Sequence, residues 1–360
     1  MSTNDYVTII AEAGVNHNGD LTRARSLIEA AAEAGADVVK FQTFTADAIA
    51  LRTAPKANYQ LRTVPEGESQ HEMLRALEIS ADDHLILRDH AIECGIDFLS
   101  TPFDRLSLTF LTEELGLRRV KISSSDLTNV PLLVDAGRSG ASIILSTGMS
   151  TLAEVEMALK AICYGLASDD DPNTTAAFDD VYADSGARQQ LAASVVLLHC
   201  TSEYPTAPGQ VNLRAMGTLW TAFDLPVGYS DHTQGQAVAV AAVARGAVIL
   251  EKHLTLDRNL PGPDHAASSE PGEFAQLVQS VREVQAALGS QIKAPTPSEL
   301  PNRAPMRKGM YAARDITAGS IVSADDIRVV RPETPVGPDF YFDWLGSIAP
   351  RGISAGEPLG

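Results

Sequence analysis

Cysteine, long apolar runs and positive charge are all in short supply in this 360-residue chain. Its three cysteines, Cys94, Cys163 and Cys200, are scattered and none has CxxC spacing. An odd, dispersed set argues against a disulfide framework or a cysteine-rich zinc site and fits a reducing compartment. All three read as packing residues. No apolar run approaches the roughly 20 residues that a membrane span needs. The start, MSTNDYVTIIAEAG, has no basic region before its apolar run. It is therefore not expected to be a secretory signal, and a cytoplasmic location is expected. Lysine and arginine number 28 against 46 aspartates and glutamates, a net charge of −18. That balance disfavours a nucleic-acid surface or an anionic membrane. It leaves room for a small anionic substrate, because a few lysines inside a pocket override a diffuse outer field.

What is present is an alternation. Hydrophobic residues make up 44% and charged residues 21%, as in a soluble globular protein with length for one large domain and a small one. Strand-like runs fall at 7–11, 37–42, 97–101, 118–123, 142–147, 195–200, 227–230 and 247–253. Helical spacing fills 21–34, 82–94, 106–115, 152–166 and 236–245. Eight such strands before the composition changes predict an α/β fold, a (β/α)8 TIM barrel, over a doubly wound open sheet.

The polar residues gather where each strand ends. Glu12 follows the first apolar run, Lys40 and Gln42 close the second, and Lys121 is followed by Ser123-Ser124-Ser125. The fifth ends in Ser146-Thr147-Gly148 and the sixth in His199-Cys200-Thr201-Ser202-Glu203-Tyr204. In barrels that end is the catalytic face. Two lysines on separate strands, among Ser, Thr and Gly, suit a phosphate or carboxylate pocket. The densest stretch is 226–271, which holds His232, Glu251, His253 and Asp264. It reads strand, helix, strand, so His232 and His253 come to neighbouring strand ends, and Glu251 and His253 share parity. A carboxylate against two imidazoles suits a divalent cation with open or water-filled positions. Two ordinary loop histidines are the alternative reading of the same residues.

Three stretches break the alternation. Residues 53–70 form a long excursion suited to a substrate loop. Residues 168–188, SDDDPNTTAAFDDVYADSGAR, follow a helix rather than a strand and read as a solvated acidic insertion on the opposite face. After a barrel over 1–289, the proline-rich 290–305 reads as an extended linker, and 306–360 as a small strand-and-turn module.

The motifs AEAGVNHNGD, KFQTF, STPFD, KISSSDLTNVPLL, ILSTGMSTLAE, LLHCTSEYPT, GYSDHT and EKHLTLDRNLPGPDHAASSEP together resemble the sialic acid synthase family. The C-terminal module resembles its antifreeze-like (SAF) domain. The resemblance implies condensation of phosphoenolpyruvate with N-acetylmannosamine or a related 2-acetamido sugar, with C–O cleavage and release of phosphate. A 2,4-diacetamido-trideoxymannose acceptor, giving N,N′-diacetyllegionaminate, is the alternative within the family. Other phosphoenolpyruvate–aldose synthases and a non-catalytic sugar-binding barrel are the competing readings outside it.

The same resemblance implies residue roles. His232 and His253 would ligate a Mn²⁺ or Mg²⁺ ion; of the catalytic acids, Glu12 would sit near the reacting carbons, Glu251 beside the metal through water, and Asp126 toward a sugar hydroxyl. Lys40, Gln42, Lys121, Ser124, Ser146, Ser202 and Ser230 would hold phosphoenolpyruvate. Tyr204, Asp264 and Arg307 would contact the amino-sugar. Asp126 stands where some members carry Glu, and Thr201-Ser202 where some carry Asn-Thr. The family arrangement implies a homodimer that exchanges its C-terminal modules.

Overall fold

A computed structural model describes residues 6–57, 61 and 69–360. Most of the 53–70 excursion expected to carry a substrate loop lies outside those residues. The described chain divides into two compact units, 1–289 and 290–360.

The first unit is a parallel barrel. Its strands are β1 (Thr8–Gly14), β2 (Val38–Thr43), β3 (Asp97–Pro102), β4 (Arg119–Ile122), β5 (Ser142–Ser146), β6 (Val195–Cys200), β7 (Val227–Asp231) and β8 (Ile249–His253). They are hydrogen-bonded in the order β3-β2-β1-β8-β7-β6-β5-β4. The two ends of that order, β3 and β4, also lie in contact, which closes the ring. All seven ladders are parallel.

Side-chain parity divides each strand between two environments. Ile9, Ala11, Val39, Val120, Ile122, Ile143, Leu145, Leu197, Tyr229 and Leu250 belong to the large core between sheet and helices. Ile10, Val38, Leu99, Ile144, Leu198 and Ile249 form a separate buried cluster inside the ring. Gly228 holds the matching place on β7 because the floor is already full. A Cβ there would stand 2.6 Å from Leu198 Cδ2 and 2.5 Å from the Ile249 carbonyl.

Two sequence expectations change here. The acidic insertion is not simply solvated: Ala176–Ala183 and Ser185–Ser194 are helices. Phe178 is fully buried and meets Tyr164 edge-on, while Asp179 pairs with Lys160 at 2.8 Å. With Ala177, Val181 and Tyr182 packed beside Phe178, a few apolar residues among many carboxylates dock a helix whose other face stays wet. The proline-rich stretch after the barrel is not extended throughout, since Leu300–Met306 forms a helix. Pro301 falls in its first turn, where the missing N–H costs nothing, and Glu299 accepts from the Thr296 N–H and hydroxyl just before it.

In the second unit, β9 (Gly309–Ala312) and β10 (Ile327–Val330) pair antiparallel. Isolated bridges, Ile316 to Ile353 and Ile321 to Ile348, extend the β character. A core of Met310, Ala312, Ile316, Val322, Ile327, Ala349, Ile353 and Leu359 holds it. No helix among the described residues is long and apolar enough to cross a membrane.

Candidate active site

Two residues beyond each apolar floor position, the barrel interior turns polar. Ile10 gives way to Glu12, Val38 to Lys40, Leu99 to Thr101, Ile144 to Ser146, Leu198 to Cys200 and Ile249 to Glu251. Register aligns Glu12 with Lys40 on one side and with His253 on the other, and Ser230 with Glu251.

The result is a buried ionic cluster. Lys40 Nζ is ion-paired with Glu12, stands 3.7 Å from Glu251 Oε2, and donates to Thr101 Oγ1 at 3.0 Å. Lys121 Nζ lies 3.5 Å from Glu251 Oε1. Ser230 Oγ donates to Glu251 Oε1 at 2.7 Å, and Gln42 Nε2 donates to Glu12 Oε1 at 3.2 Å. Burial opposes the charge on Lys40, but Glu12 and Glu251 outweigh it and its pKa is raised. Burial wins at Lys121, whose pKa is lowered. The two carboxyls diverge for the same reasons. Burial raises Glu12, whereas at Glu251 it is overcome by Lys121 and Lys40, which hold that group at about 2.

The histidines sit at the rim of this cluster. His232 Nδ1–H donates to the Thr201 carbonyl at 2.7 Å, which leaves the Nε2 lone pair free, 3.4 Å from Ser230 Oγ. His253 Nδ1 is buried with no hydrogen-bond partner, and Asp264 Oδ2 is 3.8 Å away. The two rings are 5.5 Å apart, and Tyr204 packs on both, at 4.1 Å from His232 and 5.7 Å from His253. Burial lowers His232 to about 4 and His253 well below its usual value, so both are neutral donors at pH 7. Two neutral imidazoles with free nitrogens fit one divalent ion, one of them oriented by a backbone carbonyl as ligating histidines are. Among the described residues no group of three His, Cys, Asp or Glu is placed to hold an ion. Water or substrate would complete the shell.

Hydroxyls line the opposite side. Ser124 Oγ accepts from the Gly148 N–H at 3.0 Å and lies 3.2 Å from Cys200 Sγ. A Cβ at Gly148 would meet Ser202 Oγ at 2.5 Å and Ser124 Oγ at 2.9 Å. Three strand ends can crowd together only because Gly148 has no side chain. Cys200 is thus part of this niche rather than mere packing.

Asp126 is not gathered in with the lysines. Its carboxylate accepts from Asn129 Nδ2 at 3.0 Å and Ser125 Oγ at 3.2 Å, closing the short turn after β4. Arg307 belongs to the second unit, where it lies 3.4 Å from Glu333. Thr101 lies in STPFD and Thr201 in LLHCTSEYPT, but the resemblance assigns neither a role; parity in a buried strand points Thr101 at the lysine. Asn16, inside AEAGVNHNGD, is a further partner with no role in the resemblance. Its Nδ2 donates to Leu254 O at 2.8 Å and Ser268 Oγ at 2.9 Å, and Ser268 in turn donates to the Asp264 carbonyl.

Comparison with known proteins places this geometry. A family model described as the NeuB family matches residues 27–293, and an SAF domain model matches 307–360. The chain belongs to the NeuB family. A related protein from Legionella pneumophila, N,N′-diacetyllegionaminic acid synthase, is 45% identical over 98% of this chain and 92% of its own. Human N-acetylneuraminate-9-phosphate synthase is 36% identical over 94% of this chain and 87% of its own. The crystal structure of N-acetylneuraminic acid synthetase from Leptospira borgpetersenii, in complex with citrate, superposes with a TM-score of 0.66. That pair is 33% identical, covering 84% of this chain and 94% of the other. This NeuB protein is therefore an enzyme of the sialic and legionaminic acid synthase type. The synthases of the family act on a small sugar and phosphoenolpyruvate and are generally metal-dependent.

Proposed function

We propose that the protein condenses phosphoenolpyruvate and water with a 2-acetamido mannose-type aldose to give a nonulosonic acid and inorganic phosphate. The observation that carries this reading is the pairing of two buried lysines on separate strands with two buried imidazoles at the same barrel mouth. Lys40 and Lys121 balance the negative charge of phosphoenolpyruvate, with Gln42, Ser124, Ser146, Ser202 and Ser230 as polar partners. His232 and His253 hold a divalent ion, Mn²⁺ or Mg²⁺, which when bound polarises the sugar aldehyde as a Lewis acid. C3 of phosphoenolpyruvate then forms the new C–C bond, leaving positive character at C2. Glu12 and Glu251 face that carbon and stabilise it. Water adds at C2, and the tetrahedral adduct loses phosphate by C–O cleavage. Holding both substrates on one rigid barrel mouth removes much of the entropic cost of the encounter.

Tyr204 and Asp264 contact the sugar. The relative at 45% identity is named for diacetyllegionaminic acid and the one at 36% for N-acetylneuraminate 9-phosphate. That difference favours a 2,4-diacetamido-2,4,6-trideoxymannose acceptor over N-acetylmannosamine. Phosphate release measured with each sugar, in Mn²⁺ and in EDTA, tests the reading. Release should require the metal and be faster with the diacetamido sugar. No release with either sugar defeats the function, and full activity in EDTA defeats the metal.

The working form is a homodimer in which Arg307 of one chain closes the partner's pocket. Mixing inactive Arg307→Ala and Lys121→Met subunits checks this. After random exchange half the dimers are mixed, each with one sound pocket of two, so about a quarter of full activity should return. No return, with mixed dimers demonstrably formed, would mean that the arginine acts within its own chain.

A further inference from the structure

Immediately outside the catalytic cluster lies a second buried charge pair that the chemistry above does not use. Lys252, between Glu251 and His253, points to the opposite side of β8 and is 2% exposed. Its ammonium donates to Asp231 Oδ2 on β7 at 2.7 Å and to the Thr233 carbonyl at 2.6 Å. Asp231 is 1% exposed and sits between Ser230 and His232. Its other oxygen accepts from Tyr229 OH at 3.1 Å, the Thr233 N–H at 2.9 Å and Thr233 Oγ1 at 2.8 Å. Every described partner of the two charges comes from β7, β8 or the residues just beyond β7.

Place in the ladder gives this pair its meaning. The register of β7 on β8 ends at Asp231 opposite Lys252, and the next residues are His232 and His253. His232 lies beyond the last β7 residue, so no strand pairing fixes it against His253. A buried pair is a poor device for stability alone, because desolvating two charges takes back most of what their attraction contributes. It does impose direction: only one alignment of the two strand ends satisfies both ions.

We infer that Asp231 and Lys252 are positioning residues that set the separation and orientation of His232 and His253 from the outer face of the barrel. This rests on the two histidines holding the metal, as proposed above. Alternation along each strand makes the coupling direct: the ionic link and the imidazole belong to consecutive residues, one facing out and one facing in.

The experiment reads Mn²⁺ affinity by calorimetry, with the melting temperature of the metal-free protein alongside. Lys252→Met leaves a lone buried carboxylate and can fail to fold. The decisive variant is the double substitution Asp231→Asn with Lys252→Met. It keeps an oxygen for Tyr229 and Thr233, buries no net charge and removes the two bonds by which Lys252 ties β8 to Asp231 and to the Thr233 carbonyl. The expected result is a folded protein whose Mn²⁺ dissociation constant rises about 10- to 100-fold, the range typical for loss of an outer partner of a metal ligand. In turnover, kcat should fall while the KM for phosphoenolpyruvate stays put. A folded double variant that binds Mn²⁺ as tightly as the unmodified protein overturns the inference. His253→Ala is the control that separates the two claims. If it leaves Mn²⁺ binding intact, the metal assignment itself is wrong; if it abolishes binding while the double variant does not weaken it, only the positioning role is wrong.

Discussion

Two levels of the same barrel interior differ by a step of two residues and by nearly everything else. The floor, Ile10, Val38, Leu99, Ile144, Leu198 and Ile249, is dry and uncharged. The level above it, Glu12, Lys40, Thr101, Ser146, Cys200 and Glu251, is joined by Lys121 and Ser230 and is tied together by ion pairs and hydroxyls. Both levels are buried, so burial does not tell structure from chemistry here. What distinguishes them is the cost of their own contacts. The floor gains from every atom it packs, whereas the upper level sets charges out of water and is stabilised only by opposite charges beside them. A floor residue should therefore matter to folding and hardly to turnover, and an upper residue to turnover above all.

The sharpest way to break that contrast is Lys121→Met. Removing this buried cation leaves Glu251 with Lys40 and Ser230 as its partners, so the melting temperature should fall modestly. The kcat/KM for phosphoenolpyruvate should fall by about 10³, roughly 4 kcal/mol of transition-state binding, chiefly through KM. A lower melting temperature with unchanged kinetics would make the lysine structural and dissolve the distinction. The complementary change is Leu198→Ala. A cavity in the floor should cost about 2–5 kcal/mol of stability by denaturant titration, with kcat/KM per folded molecule within about threefold of its original value. A large kinetic loss at full stability would show that floor and chemistry are not separable.

Much of this was legible because strands buried on both faces carry strong patterns. The eight apolar runs, the lysines at the ends of the second and fourth, and the shared parity of Glu251 and His253 could all be read without coordinates. Three things resisted. The stretch 168–188 looks solvated because carboxylates crowd it, and composition cannot say that Phe178 and Ala187 reach the core. Asp126 carries the right charge at the right place in a motif, but Ser125 and Asn129 capture it locally, and such short-range competition leaves no periodic signal. Lys252 lies between Glu251 and His253 but faces the other way, so the pattern that marks those two does not mark it. Its own signal was there, since a lysine of opposite parity in a buried strand must find an acid, and Asp231 holds the matching place on the preceding strand.

The alternation along β8 also bears on how such a chain can change length over generations. Inserting or deleting one residue before Glu251 would turn Lys252 inward and both Glu251 and His253 outward. A change of two would keep the faces but drop carboxylate or imidazole to the level of Ile249, among aliphatic side chains that can neither bond nor solvate them. Neither slip can be absorbed by a neighbour, because each adjoining strand is held to β8 along its length. Length variation is thereby confined to the connections at the two ends of the barrel. The helices Ala176–Ala183 and Ser185–Ser194 are such a connection: nineteen residues from 176 to 194 that reach the core through Phe178, Ala187 and Leu191, none of which touches an ion at the mouth.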